Sequence, residues 1–144
     1  MARKRNEQTI AQIRRASRRL ILEEGYEACT YSALAEATGI ARTTIQHYVP
    51  RKEALAAELM QAVSDVAYER ATNLLGPDPH PLELTYVAGQ VSSGIYHSEP
   101  GLRRFLHDVL VNRELQHDVF PRFDVIALDL FGTDIAALGA EDAT

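Results

Sequence analysis

The sequence predicts an all-α protein, and two observations favour that fold class. Apolar residues recur at helical spacing through nearly the whole chain, and strand-like alternation is absent. Residues that end helices fall at regular intervals, among them Gly25, Gly39 and the run Gly76-Pro77-Asp78-Pro79-His80-Pro81. The 144 residues are therefore divided into several helices joined by short connections.

The first predicted helix spans about Glu7 to Glu24 and ends at Gly25, a residue suited to a left-handed C-terminal cap. Four apolar residues form its buried stripe, namely Ile10, Ile13, Leu20 and Ile21.

Two short helices follow, at 31–37 and 42–49, separated by the turn Thr38-Gly39-Ile40-Ala41. This length and this glycine are typical of a helix-turn-helix. Thr30 is placed to cap the first of these helices. An apolar seam joins the pair, consisting of Leu34, Ala35, Ile40 and Ile45. The remaining residues of the second helix face outward and are polar, namely Arg42, Thr43, Thr44, Gln46, His47 and Tyr48.

The second half of the chain predicts four more helices. The fourth runs from about Arg51 to Leu75, and its expected buried face consists of Leu55, Leu59, Val63, Val66 and Leu74. The fifth covers about 82–97, the sixth begins at Pro100 behind a Ser98 cap, and the seventh covers about 119–138.

Charge is distributed unevenly along the chain. Residues 1–56 carry a net charge of +4 and residues 57–144 carry −9, which together give the −5 of the whole chain. A basic N-terminal segment followed by an acidic remainder indicates that only the N-terminal segment contacts a polyanion. Cys29 is the single cysteine and no apolar run is long enough to span a membrane, so we expect a buried thiol and a cytoplasmic location.

The stretch from Ile10 to Leu55 resembles the DNA-binding domain of TetR-family regulators of bacteria. The resemblance rests on the order and spacing of several pieces: Glu24-Gly25-Tyr26-Glu27-Ala28, Thr30, Leu34-Ala35-Glu36-Ala37, Thr38-Gly39-Ile40, Arg42 to Tyr48, and Lys52-Glu53-Ala54-Leu55. It implies a three-helix helix-turn-helix DNA-binding domain at 1–52, followed by a small helical domain for ligand binding and dimerisation at 53–144.

The resemblance also implies which residues meet double-stranded DNA. They are Thr30, Arg42, Thr43, Thr44, Gln46, His47, Tyr48 and Lys52. Gln46 suits a bidentate contact with adenine, whereas Thr30 and Lys52 suit phosphate contacts. The arm Arg3-Lys4-Arg5 would either reach an adjacent groove or add only non-specific attraction. The sequence departs from the family at Gln46 and Val49, where tyrosine and phenylalanine are usual, and at Ala41 and Arg51, where a capping serine is common.

For the second domain the resemblance implies a homodimer and a small-molecule effector of unknown identity. Residues that could line the effector pocket are Met60, Val63, Tyr68, Tyr86, Phe105, Leu106 and Val109. The chain ends at 139–144, about where the final pair of dimer helices in the family begins. We therefore expect a short member, a truncated product or a fragment, which dimerises through its sixth and seventh helices or another surface.

Two functions remain open at this point. The first is a transcriptional repressor that binds a palindromic operator and is released by a small-molecule ligand. The alternative is a helical ligand-binding or protein-interaction module that has lost specific operator recognition. We expect no enzyme activity, cofactor or metal, because Glu114 and His117 form a lone pair at helical spacing and no phosphate loop or nucleophile elbow occurs.

Overall fold

The computed structural model describes residues 2–119, which form seven α-helices and no strand. The helices are α1 (Ala2–Glu24), α2 (Tyr31–Thr38), α3 (Arg42–Tyr48), α4 (Glu53–Leu75), α5 (Pro81–Ser98), α6 (Pro100–Val111) and α7 (Arg113–Val119). The all-α prediction is therefore confirmed. No helix in this part of the chain is both long and apolar enough to cross a bilayer.

Helices α2 and α3 lie within one residue of their predicted bounds, whereas the start of α1 differs. Helix α1 starts five residues earlier than expected, at Ala2, and ends as predicted at Gly25, which has φ +100° and donates its N–H to Ile21 O at 3.1 Å. The predicted arm Arg3-Lys4-Arg5 thus belongs to the first turns of α1. Cys29 is fully buried, as expected.

One buried cluster joins the N-terminal helices to the later ones. It includes Ile13 and Ile21 of α1, Leu59 of α4, Phe105 of α6 and Leu115 of α7. Because α4 contributes to the same cluster as α1 and α6, a movement of α6 or α4 changes the packing of the helices before residue 52.

Two apolar residues of α4 were wrongly predicted to be buried. Val66 is 40% exposed and Leu74 is 73% exposed. The buried stripe of α4 passes instead through Ala67 and Ala71, which are 1% and 0% exposed. Small side chains on this stripe allow close helix packing, and the larger neighbours are displaced to the sides.

The chain around α6 and α7 also differs from the predictions. Ser98 does not cap α6: its hydroxyl donates to Ile95 O at 2.8 Å, and Glu99 occupies the N-cap position. Helix α7 was not predicted; the Asn112 side chain accepts the N–H of Glu114 at 3.0 Å and so caps it. The helix predicted at 119–138 lies almost wholly outside the described residues.

Helix α6 is joined to the C-terminal end of α1 by close backbone contact and two polar bonds. The Arg104 guanidinium donates to Leu22 O at 2.8 Å, and the Asp108 carboxylate accepts the Tyr26 N–H at 3.2 Å. Gly101 lies so near that an added Cβ would be 2.4 Å from Leu22 O. Carbonyls in the last turn of a helix lack helical partners, and Arg104 satisfies one of them.

Candidate nucleic-acid interface

Helix α2 begins with the predicted cap. Thr30 has an extended backbone (φ −92°, ψ 160°), and its hydroxyl accepts the Ala33 N–H at 3.1 Å. Leu34 is fully buried and anchors the helix. Thr30 itself is exposed at the start of α2, beside the backbone N–H groups of the first turn.

The turn between α2 and α3 depends on Gly39 and on α1. Gly39 adopts the left-handed conformation (φ 70°, ψ 9°) and its N–H bonds to Ala35 O at 2.9 Å. The Gln12 side chain, on α1, donates to Thr38 O at 2.9 Å. These bonds fix the angle at which α3 leaves α2.

Helix α3 is attached to the other helices along one side. Ile45 is fully buried and Val49 is 8% exposed. The Tyr31 hydroxyl, on α2, donates to Val49 O at 2.8 Å and so closes the C-terminal end of α3. The N-terminal end has no equivalent bond, because Ala41 offers no capping side chain.

The outward face of α3 carries the residues that the sequence predicts for DNA. Arg42, Thr43, Gln46 and His47 are exposed, while Thr44 and Tyr48 are half-buried. All six lie on one seven-residue helix whose opposite side is buried. A short helix of this kind, polar on its outer face, can enter the major groove.

Asn6 is a neighbour of this face that sequence reasoning missed. The Tyr48 hydroxyl donates to Asn6 Oδ1 at 2.9 Å, which joins the end of α3 to the second turn of α1. The His47 ring packs edge-on against Tyr48, with centroids 5.4 Å apart. Asn6 and Tyr48 are 42 residues apart in sequence, so helical periodicity carries no signal for their hydrogen bond.

Lys52 lies just beyond α3 and is held over an aromatic ring. Its ammonium is 4.1 Å from the centroid of Tyr26, and the Tyr26 hydroxyl is 3.4 Å from Glu53 Oε1. Burial, followed by the Glu53 carboxylate, raises the pKa of Tyr26, so the phenol stays neutral. A neutral ring under Lys52 orients the ammonium through a cation–π contact and leaves its charge available.

Arg51 stands where a capping serine is common in the family, and its side chain links the segment between α3 and α4 to α7. Its Nη2 lies 2.8 Å from Asp118 Oδ2, and its Nε lies 3.8 Å from Glu53 Oε2. The Arg51 side chain is 63% exposed. One charged residue between α3 and α4 therefore contacts a helix from the second half of the chain.

The residues predicted to line an effector pocket do not all come together. Four of them belong to the buried cluster, namely Met60, Val63, Phe105 and Val109. Leu106 packs against that cluster. Tyr68 is half-buried and Tyr86 is 69% exposed; within the described chain neither belongs to that cluster.

Tyr96 is a buried residue among these positions that sequence reasoning did not select. It is 5% exposed, and its hydroxyl donates to Met60 Sδ. Burial raises the pKa of Tyr96 to about 12. A thioether is a weak acceptor, so the Tyr96 hydroxyl lies in the buried cluster with a weak hydrogen-bond partner.

The geometry of α1–α3 defines the class of protein. A capped α2, a glycine turn and a short α3 with a buried seam and a polar outer face form a helix-turn-helix. The chemical task of such a unit is binding to duplex DNA.

One comparison gives a family to which part of the chain is similar. Residues 13–59 match the sequence model of the family described as bacterial regulatory proteins, tetR family. This segment runs from Ile13 in α1 to Leu59 in α4 and covers about a third of the chain. Comparisons with curated proteins and with solved structures gave no match.

The match confirms the resemblance found in the sequence over this segment. The helix-turn-helix is similar to the DNA-binding domain of tetR-family regulatory proteins, and this likeness supports a DNA-binding transcriptional regulator. The matched residues include every element of the interface described above except Asn6 and Gln12 of α1 and Asp118 of α7.

Proposed function

We propose that this protein is a transcriptional repressor that binds a palindromic operator as a homodimer and is released by a small-molecule effector. The observation that carries the proposal is the outer face of α3. Four polar side chains stand exposed on a helix fixed from behind by Ile45, and the Tyr31–Val49 bond holds its end. A rigid polar face is what sequence-specific contact with base edges requires.

The proposed DNA contacts fall into two groups. Gln46 binds an adenine through its amide, and Arg42, Thr43 and Thr44 contact base edges or phosphates at the start of α3. Thr30, His47, Tyr48 and Lys52 contact the backbone and set the register of α3 in the groove. The hydrogen bond from Tyr48 to Asn6 supports this division, because it fixes Tyr48 at the edge of the helix.

Effector control in this proposal acts through α6. The buried cluster contains Met60, Phe105 and Val109, so a ligand inserted there must displace α4 or α6. Arg104 and Asp108 attach α6 to the end of α1, and a shift of α6 thereby changes the orientation of α1–α3. In a dimer that change alters the spacing of the two α3 helices. We place the protein in the bacterial cytoplasm, where its operator would lie, and propose no catalytic role.

The test of this function is selection from a random duplex library with the purified 144-residue chain. We expect enrichment of a palindrome whose half-sites are about one helical turn apart. The matched control is Gln46→Ala, which should retain the fold and lose the preference for a base in each half-site. No enrichment with the wild-type chain, together with stable oligomers or binding of a small molecule, would favour the interaction-module alternative.

A further inference from the structure

The ion pair between Arg51 and Asp118 spans the two halves of the chain. We propose that Arg51 is a further phosphate-binding residue, and that Asp118 of α7 competes with the DNA backbone for its guanidinium. The inference rests on the proposed function, because it assigns a role within the same interface. It adds a regulatory contact that restrains DNA binding in the free protein.

The position of Arg51 carries the first step. Helix α3 ends at Tyr48, and Arg51 lies three residues further on, directly before Lys52. Because Lys52 is a proposed phosphate contact, its neighbour lies close to the same strand of the duplex. Arg51 is 63% exposed, so a phosphate oxygen can approach it from solvent. Arginine binds a phosphate through two parallel N–H groups, as it binds a carboxylate.

The position of Asp118 carries the second step. Its side chain is 16% exposed, and it lies on a helix that is fixed at two points. Leu115, three residues earlier, is fully buried, and Asn112 caps the helix start. Asp118 therefore cannot follow Arg51 toward a phosphate without movement of α7.

The side chains that contact Asp118 complete the arrangement. Arg51 Nη2 is 2.8 Å away, and the exposed His117 ring has its Nδ1 3.7 Å from Asp118 Oδ1. Arg51 contacts Asp118 through Nη2, and a bidentate bond from the guanidinium to a phosphate also uses Nη2, so the carboxylate and the phosphate compete for it. Binding of the duplex therefore replaces the Arg51–Asp118 pair with an Arg51–phosphate pair and leaves the carboxylate beside His117.

Two consequences follow for DNA binding. The exchange weakens binding, since one favourable pair is lost for the one that forms. It also reduces the dependence of DNA affinity on salt concentration, because the freed carboxylate attracts a cation while the phosphate releases one. Any ligand that moves α7 toward or away from the start of α4 changes how freely Arg51 can reach the backbone.

The experiment uses the full chain and a fluorescent mixed-sequence duplex, with binding followed by anisotropy between about 50 and 200 mM salt. Asp118→Asn should tighten binding about two- to fivefold at the low end of that range. It should also steepen the slope of log affinity against log salt by up to about 0.9, the value for one further phosphate contact. The matched control is Glu114→Gln, which removes the same charge from an exposed position on α7.

A double-mutant cycle assigns the effect to the pair. In an Arg51→Gln background, Asp118→Asn should change neither the affinity nor the slope. The inference is overturned if Asp118→Asn behaves like Glu114→Gln, or if its effect persists without Arg51, while the wild-type chain still binds the duplex. If the wild-type chain binds neither this duplex nor any selected one, the proposed function fails and the inference fails with it.

Discussion

The contact between Gly101 and the end of α1 gives a sharp prediction for the variant Gly101→Ala. A Cβ at this position would meet Leu22 O at 2.4 Å and Leu22 C at 3.1 Å. Both are backbone atoms, so no side chain can rotate to make room. Since nonbonded Cβ contacts below 3.0 Å essentially never occur, α6 must move away from α1 by at least about 0.6 Å.

The same movement weakens the bonds that join the two helices. The distance from Tyr26 N to the Asp108 carboxylate would grow from 3.2 Å to about 3.8 Å, beyond hydrogen-bond range. Overpacking costs about 1–3 kcal/mol and a lost bond to a charged group adds to it. Alanine has a higher helix propensity than glycine, which offsets about 1 kcal/mol of this cost. We therefore expect the free energy of unfolding to fall by about 2–4 kcal/mol, measured by urea unfolding followed by far-ultraviolet circular dichroism.

Gly94→Ala is the matched control within α5. No described atom lies within 4 Å of a Cβ built at Gly94, so alanine should raise the free energy of unfolding by about 0.5–1 kcal/mol through helix propensity alone. The reasoning is refuted if Gly101→Ala stabilises the protein as Gly94→Ala does. That result would mean that α6 does not lie against Leu22 O in solution.

Three further predictions concern single side chains. Thr30→Ala should lower the free energy of unfolding by about 1 kcal/mol, because the Ala33 N–H loses its cap; Thr30→Ser should restore it, and equal urea curves for all three chains would contradict this. Tyr31→Phe removes the bond to Val49 O, so it should cost about 1 kcal/mol and weaken duplex binding in anisotropy titrations; unchanged binding would show that this bond does not position α3. Burial raises the pKa of the Cys29 thiol from 9.0 to about 11, so the thiol's contribution to the free energy of unfolding is complete below pH 9 and is lost as the pH rises through 11. Cys29→Ala should flatten the plot of unfolding free energy against pH between these values, and an unchanged slope would exclude the thiol as its source.

The N-terminal elements could be predicted because their signals are local. Thr30 is three residues from the N–H that it caps, and Gly39 provides the left-handed turn that ends α2. The buried seam of Leu34 and Ile45 follows helical periodicity. Each of these features depends on a few neighbouring residues, so one sequence is sufficient to find them.

The contacts that orient the site could not be predicted in the same way. Asn6 bonds to Tyr48, and Arg104 bonds to Leu22 O, across 42 and 82 residues of sequence. The helical pattern of the sequence would place Arg104 and Asp108 as ordinary solvated charges. Their role exists only because α6 lies against the end of α1, which is a property of the tertiary fold.

Helix α7 was missed for a different reason. It has seven residues, and among those whose burial is described Leu115 is the one fully buried apolar side chain, so it produces no periodic stripe. Its one local signal is Asn112, whose side chain caps the first turn. Asp118 follows from that helix, and the link from Arg51 to the second half of the chain was therefore invisible in the sequence.

The central claim is that the outer face of α3 recognises a DNA sequence, and a competition titration tests it most directly. A labelled duplex carrying the selected palindrome is bound by the wild-type chain and displaced by unlabelled palindrome or by a scrambled duplex at about 150 mM salt. The account predicts that the palindrome competes at least about 10³-fold better, and that Gln46→Ala narrows this ratio without changing thermal stability. Equal competition by the two duplexes would contradict the claim, because it would show that α3 attracts DNA by charge alone.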